Sequence, residues 1–142
     1  MDDLKRYVCG FLFHYGDNNR AIPAQVLLIK KSRPDWQKDY LNGIGGLINS
    51  DETPHEAMRR EFREETGLDI PNWGFPEKRT YDKAVVWFYS SWVDPIMFMQ
   101  ARTKTDEPLL RLEVAVLNKF PLVRDVENVI QSATAGIFNI LA

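Results

Sequence analysis

Cysteine and long apolar runs are the scarcest features of this sequence. Cys9 is the only cysteine, so neither a disulfide framework nor a cysteine-based zinc site can form within the chain. The apolar stretches fall well short of the roughly 18 residues that a membrane span requires. The net charge of −2 excludes a broadly basic nucleic-acid binder. The first residues, Met1-Asp2-Asp3, are acidic and lack the basic region of a secretory signal, so we expect a cytoplasmic protein.

The remaining composition is that of an ordinary globular protein. Of the 142 residues, 44% are apolar, 27% charged and 12% aromatic, which excludes a disordered chain. This length corresponds to one domain, and we expect residues 1–142 to form it without disulfides.

Charge is unevenly distributed along the chain. Residues 46–70 contain seven acids against three arginines, and a basic stretch precedes them, with Lys30, Lys31, Arg33 and Lys38. A solvated face is the common meaning of such a charge run, but a site that binds both metal cations and phosphates needs the same juxtaposition. The spacing of the acids has to decide between the two.

Apolar patterning predicts strands with two interspersed helices, hence an α/β or α+β fold. The predicted strands and extended pieces are Lys5–Tyr15, Ala24–Lys31, Tyr40–Ile48, Lys78–Tyr81, Val85–Val93 and Leu110–Leu117. Polar connections are predicted at Gly16–Asn19, Ser32–Asp39 and Thr103–Pro108. Helical spacing over Val123–Ala135 predicts the second helix.

The first helix is marked by its ends and by its acids. Thr53 and Glu56 match a capping box around Pro54, and Gly67 is the predicted stop. Three carboxylates inside it share one face, at positions i, i+3 and i+4: Glu61, Glu64 and Glu65. Like charges at this spacing destabilise a helix, which indicates a compensating cation. Carboxylate oxygens are hard ligands and favour Mg²⁺ or Mn²⁺.

A surface helix with Arg–Glu pairs is the alternative interpretation, because arginines are interleaved with these glutamates. The flanking residues favour the metal site. From Gly46 to Leu68 the sequence satisfies Gly-x5-Glu-x7-Arg-Glu-U-x-Glu-Glu-x-Gly-U, where U is a bulky apolar residue. This motif resembles the signature of the Nudix (MutT-like) hydrolases. The resemblance implies an α/β/α sandwich, a mixed sheet flanked by helices.

The resemblance also implies an activity, the hydrolysis of a nucleoside diphosphate linked to some moiety X with Mg²⁺ or Mn²⁺. Metal ions suit this chemistry because they stabilise charge on the transferred group and lower the pKa of bound water. Arg60 would pair with a motif carboxylate and fix its rotamer, and Glu52 would brace the loop before the helix. The implied metal ligands are Glu61, Glu64, Glu65 and the carbonyl of Gly45.

A carboxylate must accept the proton of the attacking water. Glu64 is the first candidate for this general base. Glu107, or its neighbour Asp106, in the polar loop before the last predicted strand, is the second. Glu113 is a weaker candidate because an alternating strand contains it.

Two positions depart from the pattern of the family. Ile44 stands where many members have proline, and Leu47 stands where lysine is common. Neither change removes a carboxylate. A positive contact with a substrate phosphate would then come from Lys38 or Arg33.

The segment before the motif points to a purine substrate. Residues 40–46 resemble the Asn-Gly-aromatic-Gly-Gly segment of Nudix enzymes that remove oxidised purine nucleoside triphosphates. By position, Asn42 would hydrogen-bond the purine edge, since an amide both donates and accepts; a turn before Gly43 is the alternative. Trp36, in a polar loop with Lys38, is predicted to stack on the base for ~1–3 kcal/mol. Two strand aromatics are further candidates, although such residues are more often core: Trp87 and Phe88.

The leading hypothesis is therefore a metal-dependent hydrolase that cleaves a nucleoside triphosphate to the monophosphate and pyrophosphate. A second hypothesis keeps the chemistry and changes X to ADP-ribose, a dinucleoside polyphosphate or a capped RNA end. A non-catalytic binding module is the third, against which the three retained glutamates argue. The expected partner is a small nucleotide; neither a membrane nor a stable nucleic-acid partner is expected, and a homodimer is left open.

Overall fold

A mixed seven-stranded sheet forms the centre of the computed structural model, which describes residues 4–15 and 23–141. The strands are β1 (Lys5–Tyr15), β2 (Pro23–Lys30), β3 (Leu41–Asn42), β4 (Ile44–Leu47), β5 (Gly74–Thr80), β6 (Ala84–Val93) and β7 (Leu109–Glu113). The helices are α1 (Pro54–Thr66), α2 (Pro95–Phe98) and α3 (Val126–Leu141), with short 3-10 helices at Asp35–Gln37 and Val114–Lys119. Within the described ranges, every helix is too short or too polar to cross a membrane.

The order of the strands brings β1 and β6 together at the centre. The main path is β3-β2-β1-β6-β5, with β4 added to β1 and β7 added to β2. β1 and β6 run parallel from the Lys5–Ala84 pair to the His14–Val93 pair. The other strand pairs are antiparallel. A parallel pair needs a crossover connection, and this one contains α1.

Successive side chains of β1 point to opposite faces of the sheet and so create two cores. Val8 and Leu12 belong to the core beneath α1, whereas Phe11 and Phe13 belong to the core beneath α3. Fully burying one large apolar side chain such as Phe62 of α1 contributes about 1.5–3 kcal/mol, so each helix is fixed by its apolar face. Helices on both faces of a mixed sheet confirm the expected α/β/α sandwich.

The last predicted strand is wrong in its second half. β7 ends at Glu113, and a 3-10 helix over Val114–Lys119 replaces the rest of the predicted Leu110–Leu117 strand. Leu117 is buried in the core beneath α3, and Val114 packs against the same core. Val114 and Leu117 thus reach the same core, whereas in a strand residues three apart would point to opposite faces.

The second predicted helix starts later and ends later than the sequence indicates. It begins at Val126 rather than Val123 and continues past Ala135 to Leu141. Val123 precedes the helix, and its backbone N–H donates to the Leu41 carbonyl at 2.8 Å at the edge of the sheet. Asp125, with a φ of 74°, makes the turn between this extended segment and the helix.

Three further segments differ from the predicted ones. β5 begins at Gly74, before the predicted Lys78–Tyr81, because a bulge at Phe75-Pro76 hides the alternation. The short helix α2 was not predicted, although Asp94 caps it by accepting the Met97 N–H at 2.7 Å. A 3-10 turn interrupts the predicted loop 32–39. The predicted turn at Gly16–Asn19 lies outside the described residues.

Candidate active site

Helix α1 is capped at both ends as the sequence predicts. The Thr53 hydroxyl accepts the Glu56 backbone N–H at 3.2 Å, and the Glu56 carboxylate accepts the Thr53 N–H at 2.9 Å. Gly67 ends the helix in the left-handed conformation, with a φ of 78°. An N-cap of this kind is worth about 1 kcal/mol. The caps fix which residues lie on each face of the helix.

The inner face of α1 holds the helix against the sheet. Its buried residues are Ala57, Met58, Phe62 and Thr66. At 100° per residue, Glu61 and Glu65 lie beside this apolar face, whereas Glu64 points away from it. Accordingly Glu61 and Glu65 are half-buried, and the side chain of Glu64 is 55% exposed.

Two glycines of β4 allow the strand to pass close to β1 and α1. A Cβ on Gly45 would lie 1.8 Å from the Val8 carbonyl oxygen, and a Cβ on Gly46 would lie 2.7 Å from the carboxyl carbon of Glu61. Neither position accepts a side chain without a shift of its neighbours. The absence of a side chain on Gly46 therefore makes room for the Glu61 carboxylate.

Arg60 connects the loop before α1 to two of the helix carboxylates. Its guanidinium donates to both oxygens of Glu52, with Nε–Oε2 at 2.5 Å and Nη2–Oε1 at 2.8 Å, and to the Leu47 carbonyl at 3.0 Å. Nη1 lies 3.0 Å from Glu61 Oε1 and 3.3 Å from Glu64 Oε2. The pairing expected of Arg60 with motif carboxylates is thus present. Glu52 also accepts the Asn49 N–H at 2.9 Å, which braces the loop.

Burial makes the negative charges of Glu61 and Glu65 unfavourable. It raises the pKa of Glu65 to about 8, and the charge of nearby Glu61 adds to the shift. The pKa of Glu61 is also raised by burial, against the opposing effect of Arg60. In addition, Glu65 Oε2 is buried and has no hydrogen-bond partner. Two half-buried carboxyls, one with an orphaned oxygen, fit a divalent cation with hard oxygen ligands.

The carboxylates of α1 do not surround one common position at which a metal ion could bind. Among the residues that the structure describes, no three acidic, histidine or cysteine side chains converge closely enough to hold a cation. Arg60 lies between Glu61 and Glu64 at hydrogen-bond distance from both. The Glu64 side chain is 55% exposed and is paired with Arg60.

The Glu107 carboxylate is buried and hydrogen-bonded, unlike a general base that is exposed to water. Glu107 is 4% exposed, and its carboxylate accepts from Lys31 Nζ at 3.0 Å, Ser32 N at 2.6 Å and Ser32 Oγ at 3.0 Å. Although burial alone would raise its pKa, the Ser32 N–H and the Lys31 ammonium outweigh burial, and the pKa of Glu107 is lowered. Asp106 is exposed and pairs with Arg33. Glu113 is exposed at the end of β7.

In the sequence, Lys31 is recognisable only as a member of the basic stretch, and Ser32 only as a loop residue. Lys31 Nζ pairs with Glu107 Oε1 at 3.0 Å, which joins the start of the loop after β2 to the loop 103–108. The only signal in the sequence was the basic stretch before the motif.

The predicted substrate residues lie around the 3-10 turn between β2 and β3. Trp36 is 68% exposed, and Lys38 is exposed beside it. Asn42 is half-buried: its Oδ1 accepts the Gly43 N–H at 2.8 Å, and its Nδ2 donates to Gln37 at 3.1 Å. The Asn42 amide is thus engaged with both Gly43 and Gln37.

The other aromatic candidates belong to the cores. Phe88 is buried and stacks on Phe11, with ring centroids 6.3 Å apart. Trp87 packs against the core beneath α1, and the Lys78 ammonium lies 5.4 Å from its ring centroid. A shallow cavity of about 390 Å³ lies elsewhere, along residues 118–128, and no α1 residue lines it.

Comparison with known families agrees with this geometry. A family model described as NUDIX domain matches residues 10–129. The chain therefore belongs to the Nudix family of hydrolases. No curated protein sequence gives a significant match.

Solved structures resemble the chain in fold. The NUDIX domain of Shewanella oneidensis NrtR, complexed with ADP ribose, is 19% identical with a TM-score of 0.75, over 94% of this chain and 88% of that chain. A MutT structure from work on Aliivibrio salmonicida and Vibrio cholerae is 16% identical with a TM-score of 0.70, over 92% and 96%. A mutT/nudix family protein from Listeria innocua is 17% identical with a TM-score of 0.75, over 99% and 98%. At these identities the likeness extends to the fold alone.

Proposed function

We propose that this Nudix hydrolase cleaves a nucleoside triphosphate to the monophosphate and pyrophosphate, with Mg²⁺ or Mn²⁺ held by α1. The proposal rests on the Oε2 atom of Glu65, which is buried and has no hydrogen-bond partner. The pKa values of Glu65 and of Glu61 are both raised. A dication relieves this cost because it favours the charged carboxylates. Glu64 completes the carboxylate set after a change of rotamer, and the Gly45 carbonyl is the fourth candidate ligand.

The reaction needs a nucleophilic water, a base and charge neutralisation. The bound cation supplies charge stabilisation on the diphosphate and lowers the pKa of water. Glu64 accepts the proton as the water oxygen bonds to phosphorus, and the bridging P–O bond breaks with its electron pair leaving on the departing phosphate. Arg60, held by Glu52 and the Leu47 carbonyl, orients the carboxylates and does not itself react. Glu107, the second candidate for the base in the sequence, is occupied by donors from Lys31 and Ser32, which favours Glu64.

Substrate recognition falls to the segment between β2 and β3. Trp36 offers an exposed aromatic face for a base, and Lys38 offers a positive charge for a phosphate. The Asn42 amide nitrogen donates one of its two N–H groups to Gln37, so the other is available for a purine edge. ADP-ribose is the second candidate substrate, because a protein of the same fold is complexed with it.

A nucleotide panel tests the proposal. Purified protein is assayed for pyrophosphate and phosphate release from normal and oxidised triphosphates, ADP-ribose, diadenosine polyphosphates and capped RNA, with Mg²⁺, Mn²⁺ or chelator. Glu64→Gln should lower kcat about 10²–10⁴-fold. The matched control is Asp69→Asn, which removes an exposed ion pair with Arg59 on the far side of α1. Full activity of Glu64→Gln, or activity in chelator, would refute the assignment.

A further inference from the structure

Glu107 is surrounded by hydrogen-bond donors that all belong to one short segment. Three of them lie between 2.6 and 3.0 Å from its oxygens: Ser32 N, Ser32 Oγ and Lys31 Nζ. The Arg33 N–H lies 3.4 Å from Oε2 as well. Residues 31–33 therefore depend on one carboxylate from the loop 103–108.

The arrangement demands a carboxylate rather than any polar side chain. An ionised carboxylate only accepts hydrogen bonds, whereas an amide of the same shape replaces one acceptor with an NH₂ donor. The backbone N–H of Ser32 and the ammonium of Lys31 can only donate. An amide at position 107 would point its NH₂ at a donor, or leave one donor without a partner in a site that is 4% exposed.

The anchored segment continues directly into the proposed substrate contacts. Lys31 N donates to the Tyr40 carbonyl at 2.9 Å and Asp39 N donates to the Lys31 carbonyl at 2.7 Å, so residues 31–40 form a closed loop with Trp36 at its outer end. The Arg102 N–H, just before the loop 103–108, donates to the Thr66 carbonyl at 2.9 Å, so the loop that carries Glu107 is tied to the last turn of α1, next to Glu65. The same contacts thus fix the loop relative to the candidate metal site.

We infer that Glu107 is a positioning residue, which holds the loop 31–40 and its Trp36 and Lys38 in register with the carboxylates of α1. Its kinetic consequence rests on the proposed function. The role differs from that of a general base, because a carboxylate occupied by four donors is not free to collect a proton from water. Loss of Glu107 should weaken substrate binding more than the chemical step.

The test combines a structural and a kinetic measurement on Glu107→Gln. Hydrogen–deuterium exchange over residues 31–40 should rise about tenfold, because the amide has no charge and only one accepting oxygen and so cannot keep the contacts with both Lys31 and Ser32, while exchange in α1 stays unchanged. KM for the best nucleotide should rise about tenfold, with kcat within about threefold of the wild type. Asp69→Asn, the control that also exchanges an ion-paired carboxylate for an amide, should change neither quantity.

Two outcomes would overturn the inference. One is unchanged exchange over residues 31–40 in Glu107→Gln; the other is a fall of about 10²–10⁴-fold in kcat with KM unchanged, which is the effect of losing a general base.

Ser32→Ala is the second variant if Glu107→Gln does not fold. Ser32 is exposed, and the change removes only the 3.0 Å hydroxyl contact. It should raise exchange in the same segment by a smaller factor, and no rise contradicts the role. If the wild type hydrolyses no nucleotide, the proposed function fails, whereas the exchange comparison still decides the role of Glu107.

Discussion

Burial of Glu65 should make stability depend on pH when divalent cations are removed. Its folded pKa of about 8, against an ordinary value of 4.5, arises first from burial and then from the charge of Glu61. A carboxyl with a raised folded pKa contributes its full stability below the unfolded pKa, and this contribution is lost as the pH rises towards the folded value. Each pH unit in that window costs about 1.4 kcal/mol. A rise from about pH 6 to about pH 8 should therefore lower the free energy of unfolding by about 2 kcal/mol.

Urea denaturation of the wild type and of Glu65→Gln, both in chelator, measures this loss. The variant has no carboxyl to titrate at this position, so the difference between the two proteins reports Glu65 together with its coupling to Glu61. Mg²⁺ should restore the wild type at about pH 8, by about 2.7 kcal/mol at a concentration of 100 times Kd, and should stabilise the variant less. Equal pH slopes for the two proteins in chelator would show that Glu65 is not destabilised by its charge.

Three substitutions around α1 test the rest of the site. Gly46→Ala puts a Cβ 2.7 Å from the Glu61 carboxyl carbon, so the Mg²⁺ concentration for half-maximal activity should rise at least about tenfold; an unchanged value contradicts the packing argument. Glu52→Gln breaks the two-point contact with Arg60 and should cost about 1–3 kcal/mol in urea denaturation, since hydrogen bonds to charged groups are worth that much. Thr53→Ala removes the helix cap and should cost about 1 kcal/mol with kcat unchanged; a loss of activity without a loss of stability would assign Thr53 a different role.

Local sequence predicts the helix that carries the carboxylates because its signals act over a few residues. A Thr-x-x-Glu box and a glycine stop satisfy backbone groups within one turn, so they work alike in any protein. The strands β1, β2 and β6 are predictable for the same reason, since alternation and β-branched residues are local properties. Local signals fail where tertiary contacts decide: the segment before α3 is tied to the sheet through Val123, and Leu117 is buried in the core from a 3-10 helix rather than from a strand.

By itself, the amino-acid order determined the chemistry of this protein: three glutamates on one helical face, an arginine among them and glycines where the sheet passes the helix. Only the folded chain decided what each carboxylate does, because burial and pairing join residues far apart in sequence. Glu107 accepts a hydrogen bond from Ser32, which is 75 positions away in the sequence. Glu65 is half-buried and has an oxygen without a partner, whereas the Glu64 side chain is exposed. The free energy of ionising a carboxylate depends on its burial and on the hydrogen-bond donors around it. Both are set only when the sheet and its helices have packed.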